Sequence, residues 1–335
     1  MRINIGINGL GRIGRMIIRS IYENKHKQLK ISHINSRSDI KTVCHLLKYD
    51  TIHGIFKEHI SFKKNLIIIN NTKIPYTQIN NLDEINWKKN NVDVVLECTG
   101  KFNTKNKLLA HLKNGAKKVL VSAPCKGADK MIVYGVNQKN LKKNDKIISA
   151  GSCTTNCLAP VVSVINENFG IENGFMTTIH AYTSDQRILD NSHKDQRRAR
   201  SAGQSIVPTS TGASKSIGDI IPELKGKLDG VAIRVPTPNV SMIELTFNSK
   251  KKLSIEKINK VFFKASKKKL KNIMDVTSEN LVSIDYNHNS CSAIVDSNLT
   301  NVIGDKFGKV TAWYDNEWGF SNRMCDIIKH IKKNV

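Results

Sequence analysis

Six residues near the start, Gly9-Leu10-Gly11-Arg12-Ile13-Gly14, constrain the fold of this chain more than any other stretch. They follow directly on the short apolar run Ile3 to Asn8 and open the helical pattern Arg12 to Asn24. In such a strand–turn–helix, Gly9 permits the tight turn, Gly11 lets bare backbone approach a pyrophosphate, and Gly14 allows close packing of helix on sheet. The first N–H groups of the helix then face an anion with the positive end of the helix dipole. The spacing predicts a dinucleotide-binding βαβ unit rather than an ordinary glycine turn.

Further short runs rich in Val and Ile follow at Ile31 to Asn35, Val92 to Glu97, Lys118 to Val121, Met131 to Tyr134 and Lys146 to Ser149. Bounded by Gly or Asn and separated by helical patterns, they read as buried parallel strands. After Ser149 the texture changes. A helix-like stretch from Cys153 to Phe169 precedes strand candidates at Gly174 to His180, Gly230 to Val235 and Val240 to Asn248, with no helices expected between them. The expected fold is α/β, a doubly wound parallel-sheet domain plus an α+β catalytic domain with a mixed or antiparallel sheet. The boundaries expected are 1–151 and 152–316, with a C-terminal helix over 317–335 packing back onto the first domain. Ser254 to Lys271 places Ile255, Ile258, Val261 and Phe262 on one face and its lysines elsewhere, as a solvated helix does.

A chain of 335 residues with 39% apolar residues suits two soluble domains. No stretch reaches the roughly 20 apolar residues that span a bilayer, and no leader-like segment precedes the first strand. Seven scattered cysteines are an odd number without zinc-site spacing. They point to reduced thiols, no bound metal and a cytoplasmic location. The net charge of +25 invites a nucleic-acid reading. The lysines are spread along the whole chain, however, which argues against nucleic acid as the main partner.

Three local signals carry chemistry. An acidic residue about 20 positions beyond the third glycine normally grips the ribose 2′-hydroxyl of NAD; here the second strand ends His33-Ile34-Asn35-Ser36-Arg37, unless Asp39 substitutes. A hydroxyl and a guanidinium there admit a 2′-phosphate that a carboxylate would repel. Ser152-Cys153-Thr154-Thr155-Asn156-Cys157 places Cys153 at a helix N-terminus, where the dipole is expected to depress its pKa. Cys157, one turn deeper, is expected to pack. His180 ends a strand-like run, and a Cys/His pair is a common way to activate a thiol.

Several longer motifs add a family resemblance. The chain resembles glyceraldehyde-3-phosphate dehydrogenase from end to end, through Ile7 to Arg15, Leu47-Lys48-Tyr49-Asp50, Ser152 to Cys157, Val235 to Ser241 and Trp313 to Gly319. The resemblance implies that Cys153 attacks the aldehyde, that His180 takes the thiol proton and steadies the oxyanion, and that inorganic phosphate releases the acyl group from a thioester. It implies further that Thr183 and Arg234 hold the phosphate of glyceraldehyde 3-phosphate. Ser152, Thr154, Thr211, Gly212 and Arg198 would hold inorganic phosphate. The Arg12 and Ile13 backbone would meet the pyrophosphate, Asn316 the nicotinamide carboxamide, and Thr99 and Ser122 the adenine side. The family is usually a homotetramer, in which the loop from Ser184 to Ser201 packs near a neighbour and Arg197 and Arg200 serve the interface. Ser36, with Ser192 and Asn80, departs from strictly NAD-dependent relatives, so NADP is expected to be accepted beside NAD. The rival readings are a related erythrose-4-phosphate dehydrogenase and a basic RNA-binding protein on a dehydrogenase fold. The run Thr209-Ser210-Thr211-Gly212-Ala213 and Thr183 resemble the phosphorylating enzyme better than the former.

Overall fold

The computed structural model describes residues 2–332, and the chain clusters into two compact units. Among the described residues the first takes in 2–132, 138–152 and 321–332, the second 133–137 and 153–320.

In the first unit a nine-stranded sheet runs in the order Lys130–Met131, Ile147–Ser149, Lys118–Val121, Val94–Glu97, Ile3–Asn8, Leu29–Asn35, Thr72–Thr77, Leu66–Ile69 and Ile60–Lys63. The first seven are parallel neighbours and the last two pairings are antiparallel. Helices cover a parallel sheet on both faces, so its strands are apolar throughout. Ile5, Ile7, Val95, Leu96, Val119 and Leu120 are accordingly fully buried. Strand order reverses at Ile3–Asn8, which has Leu29–Asn35 on one side and Val94–Glu97 on the other. Ligands of such sheets bind outside the carboxyl ends of the strands at this switch point.

Two expectations need correction here. The run Met131 to Tyr134 contributes only Lys130–Met131 to the sheet, because Val133–Asn137 belong to the second unit, where the Asn137 side chain accepts from the Val133 N–H at 2.8 Å. The antiparallel strands between residues 60 and 77 were not anticipated from the sequence. The expected helix over 317–335 is Trp318–Lys332, and residues 333–335 lie outside the described residues. Its Met324, Cys325, Ile327, Ile328 and Ile331 are fully buried.

The second unit is built on an eight-stranded mixed sheet in the order Val207–Ser210, Leu228–Val235, Ile171–Ala181, Ser241–Ser249, Phe307–Tyr314, Ala293–Asp296 and Met274–Thr277, with Asn301–Ile303 paired to Phe307–Tyr314. Ile171–Ala181 is parallel to Leu228–Val235 and antiparallel to Ser241–Ser249. The expectation of no helix between these strands is corrected by the short helix Ile217–Ile220, which lies in the connection that two parallel strands require. The helix Cys153–Phe169 packs on this sheet and against the helix Ile255–Lys267, which Ser254 caps by accepting the Lys257 N–H at 3.2 Å. The buried face of that second helix is Ile258, Phe262, Ala265 and Ser266. Ile255, expected on it, is the first residue of the helix and is 39% exposed. Among the described residues no helix is long and apolar enough to cross a membrane.

Candidate active site

In the first unit the strand Ile3–Asn8 passes into the helix Arg12–Glu23 through Gly9, whose φ of +96° is open to glycine and strained for other residues. A Cβ on Gly14 would stand 2.2 Å from the Gly9 carbonyl oxygen, so even a methyl group would force the helix off the turn. A Cβ on Gly11 would meet no protein atom within 4 Å, and there the bare backbone borders a cavity of about 770 Å³.

That cavity brings together Gly9, Gly11, Ser36, Arg37 and Thr99 of the expected cofactor residues. Ser36 is buried and its N–H donates to the Thr77 carbonyl at 3.0 Å, while Arg37 is exposed on the same rim. Asp39 does not substitute for the missing acid: its carboxylate accepts the Thr42 N–H at 2.9 Å and caps the helix Ile40–Lys48. No carboxylate of the described residues lines the cavity, whereas the cationic Arg15, Arg37 and Lys101 do. Asn80, at the place the family often gives to an arginine, lines it as well. Arg12, Ile13 and Ser122 are not part of the lining. The Arg12 guanidinium is paired with Asp50, and Ser122 donates from its hydroxyl and its N–H to the Glu97 carbonyl, both at 3.0 Å. Burial opposes the Asp50 charge, but Arg12 and the N–H groups of His53 and Ile52 hold its pKa down to about 2.

In the second unit Cys153 opens its helix and His180 lies near the end of Ile171–Ala181, with Sγ 3.5 Å from Nε2. The sequence spacing of 27 residues gave no sign of this contact. Burial pushes the Cys153 thiol up, and Arg234 with the Thr154 N–H only partly offsets it. This corrects the expectation of a depressed thiol: lost hydration outweighs the helix N-terminus. His180 is buried, and burial together with the Arg234 charge drives its pKa down to about 3, so the imidazole is neutral at pH 7. Cys157 is fully buried and packs beneath, its thiol pushed well up by burial.

Tyr314 ties the helix start to the sheet. Thr178 donates its hydroxyl proton to the Met242 carbonyl at 3.0 Å, so at the 2.9 Å contact Tyr314 donates to Thr178. Tyr314 must then accept from Thr154, also at 2.9 Å. Thr154, expected to offer its hydroxyl to inorganic phosphate, has that proton committed to Tyr314 instead. Arg198, expected at the same phosphate, is paired with Asp185 and lies 3.5 Å from Asp195. Thr183 follows the strand in a turn whose carbonyl accepts the Gln186 N–H at 2.9 Å. Thr211 is half-buried, with its hydroxyl accepting the Ala213 N–H at 3.2 Å, and Gly212 is exposed. Ser152 is half-buried immediately before the helix. The Asn316 amide is oriented by Ser241, whose hydroxyl donates to Oδ1 at 3.0 Å and accepts the Ala181 N–H at 3.1 Å. On the loop from 184 to 201, Ser192 is exposed, its carbonyl accepting from Arg187 at 3.0 and 3.1 Å, and Arg200 pairs with Asp190 at 2.7 Å. Arg197 is exposed there as well. Sequence reading missed Tyr314 as a site residue, although it stands inside the quoted Trp313 to Gly319 motif, and missed Asn8, which directly precedes Gly9.

Comparison with known proteins matches residues 3–105 to the family described as glyceraldehyde 3-phosphate dehydrogenase, NAD binding domain, and residues 152–316 to its C-terminal domain. Glyceraldehyde-3-phosphate dehydrogenase 2 of Bacillus subtilis (strain 168) is 46% identical over 332 residues, 99% of this chain and 97% of the relative. The enzyme of Cereibacter sphaeroides is 48% identical over 326 residues, and the plasmid enzyme of Cupriavidus necator 49% over 328, each covering 97% of both chains.

Proposed function

Since the chain belongs to the glyceraldehyde-3-phosphate dehydrogenase family, whose NAD-binding and catalytic domains it carries, we propose that Cys153 and His180 perform its reaction, the oxidation of glyceraldehyde 3-phosphate to 1,3-bisphosphoglycerate. The observation that supports this assignment best is the 3.5 Å approach of the Cys153 sulfur to Nε2 of a buried, neutral His180.

A neutral imidazole suits a base better than a partner in a resting ion pair. Nε2 takes the thiol proton as the sulfur adds to the aldehyde carbon and passes it to the oxyanion that forms, giving a hemithioacetal whose hydroxyl faces a neutral imidazole. A nicotinamide held in the cavity of the first unit would supply the acceptor for the hydride of that carbon. His180 removes the remaining hydroxyl proton and a thioester is left on Cys153. Inorganic phosphate then attacks the carbonyl, the C–S bond breaks, and the sulfur leaves as thiolate. The thioester keeps the free energy of oxidation available for making the acyl phosphate.

We assign the substrate phosphate to Thr183 and Arg234, and inorganic phosphate to Ser152, Thr211, Gly212 and Arg198, with Thr154 acting through its N–H. Arg198 would exchange a carboxylate for phosphate, a swap between two bidentate acceptors. We assign the cofactor to the cavity lined by Gly9, Gly11, Ser36, Arg37 and Thr99, flanked by the Arg12 and Ile13 backbone and Ser122, with Asn316 for the carboxamide. NADP is accepted beside NAD, because cationic groups and, among the described residues, no carboxylate line the cavity. A homotetramer is supported by Ile188, Leu189 and Ile206, which are 87%, 73% and 70% exposed on this chain alone. A cytosolic location is supported by seven free cysteines.

The test is steady-state oxidation of glyceraldehyde 3-phosphate with NAD and with NADP, each with and without inorganic phosphate. A rate that depends on phosphate, with 1,3-bisphosphoglycerate as product, supports the reading. Equal rates without phosphate and a free acid as product would replace it with the erythrose-4-phosphate dehydrogenase reading, in which water rather than phosphate releases the acyl group.

A further inference from the structure

Beneath the dinucleotide cavity lies a carboxylate that the reaction above does not use. Glu97 ends the strand Val94–Glu97 and is 1% exposed. Each of its oxygens accepts two hydrogen bonds. Oε1 takes the Thr99 N–H at 2.8 Å and the Thr99 hydroxyl. Oε2 takes Nδ2 of Asn8 at 2.7 Å and Nε2 of His111 at 3.1 Å.

The donor on His111 is fixed from behind. The indole of Trp87 donates to His111 Nδ1 at 3.0 Å, so Nδ1 accepts and the imidazole proton sits on Nε2, toward Glu97. The chain continues on the other side. Asn8 Oδ1 accepts Nδ2 of Asn35 at 2.9 Å, and Asn35 Oδ1 accepts the Thr77 hydroxyl at 2.8 Å and the Ile79 N–H at 2.9 Å. Asn8, Asn35, Ile79 and Thr99 line the cavity, whereas Glu97, His111 and Trp87 do not.

We propose that Glu97 is a positioning residue for the dinucleotide: oriented by His111, its carboxylate holds Asn8 and Thr99, and through Asn8 also Asn35, in the attitude that the cofactor meets. Three neighbouring strands reach their carboxyl ends here, and one buried anion joins the side chains on all three. Four donors fill the lone pairs of an ionised carboxylate, so an amide of the same shape cannot replace it. In Glu97→Gln one oxygen becomes an NH₂ group. If the NH₂ faces Thr99 it opposes the Thr99 N–H, and if it faces the other way it opposes both the Asn8 amide and His111 Nε2–H, so either orientation sets donor against donor. The proposal rests on the NAD-binding assignment of the first unit and not on Cys153 or His180.

The experiment measures NAD affinity by calorimetry, together with KM, kcat and the rate of Cys153 alkylation without cofactor, in wild type, Glu97→Gln, His111→Ala and His111→Gln. For Glu97→Gln the expected result is a Kd and KM for NAD raised about tenfold or more, with kcat at saturating NAD and the alkylation rate within about threefold of wild type. His111→Ala should weaken NAD about threefold or more, and His111→Gln, whose amide can donate to Oε2, should restore most of the affinity. If Kd stays within about twofold of wild type in both Glu97→Gln and His111→Ala while only Tm falls, Glu97 merely stabilises the fold. A loss confined to kcat overturns the proposal too. Should Glu97→Gln fail to fold, the contrast between the two His111 variants decides. Loss of alkylation in wild type would instead indict the Cys153 assignment.

Discussion

Arg234 Nη1 lies 2.7 Å from His180 Nδ1, the same nitrogen that lies 2.6 Å from the Ala181 carbonyl oxygen. A guanidinium has no acceptor and a carbonyl has no proton, so the two neighbours make opposite demands on Nδ1. Only with the proton on Nδ1, shared with Ala181, does Nε2 offer a lone pair to Cys153. If Arg234 turns toward the substrate phosphate as proposed, the competing demand on Nδ1 is removed and the Ala181 carbonyl alone holds its proton.

For Arg234→Ala the His180 pKa should rise from about 3, because burial, its larger cause, is left without the second one. The Cys153 thiol should move further up, since burial already raises it and Arg234 is the leading group that opposes burial. Alkylation by iodoacetamide against pH is therefore expected to shift to higher pH, beside a raised KM for glyceraldehyde 3-phosphate. An unmoved alkylation profile would show that the guanidinium does not act on the thiol.

Cys153→Ser should abolish turnover while NAD still binds, as a hydroxyl at neutral pH is a far weaker nucleophile and an ester a poorer acyl donor. His180→Asn should lower kcat by about 10²- to 10⁴-fold, the usual contribution of a general base. Stopped-flow measurement of the first turnover separates the two. Turnover of Cys153→Ser within about tenfold of wild type, roughly 1.4 kcal/mol, removes Cys153 from the role.

Ser36→Asp puts a carboxylate on a rim that holds none among the described residues. Repulsion of a 2′-phosphate, with loss of the Ser36 hydroxyl, should cut kcat/KM for NADP by about tenfold or more, within the range of about 1.5–3 kcal/mol for a charge-assisted hydrogen bond. NAD use should hold or rise. If the ratio of the two does not change, the ribose end of the cofactor lies elsewhere.

Acid should destabilise the fold in a window set by buried histidines. Burial, and then the Lys89 charge, lowers the His33 pKa to about 4, below the value of about 6.5 for the unfolded chain. The unfolded state thus binds the proton more readily. The contribution of His33 is fully present above pH 6.5 and is lost as pH falls toward 4, with a slope of up to about 1.4 kcal/mol per pH unit. His180, lowered to about 3, adds to the same trend. In His33→Phe, which keeps a ring at 4.9 Å from Trp87, urea melts between pH 6.5 and 4 should lose stability less steeply than wild type.

What could be read from the sequence was local. The glycine turn, the parallel strands and the placement of Cys153 at a helix start each depend on neighbours a few residues away, and periodicity reports those. The hairpin strands from 60 to 77 escaped notice because lysines and asparagines interrupt their alternation. The committed proton of Thr154 was out of reach for a different reason, since its acceptor Tyr314 is 160 residues distant. Glu97 looks like the last polar residue of an apolar run until Asn8, 89 positions earlier, is brought beside it by strand pairing.

The helix Trp318–Lys332 carries a consequence for biosynthesis. From Ser321 onward its residues cluster with the first unit, and the Ser20 hydroxyl donates to the Asn322 side chain at 3.0 Å. Nascent chains usually fold domain by domain from the N-terminus as they leave the ribosome, at about 5–20 residues per second. Here the first stretches of the nucleotide-binding unit emerge long before the helix Trp318–Lys332 that completes its core. For about 10–30 seconds at that rate its face for Met324, Ile327, Ile328 and Ile331 stands uncovered, an interval in which chaperones have an apolar surface to hold.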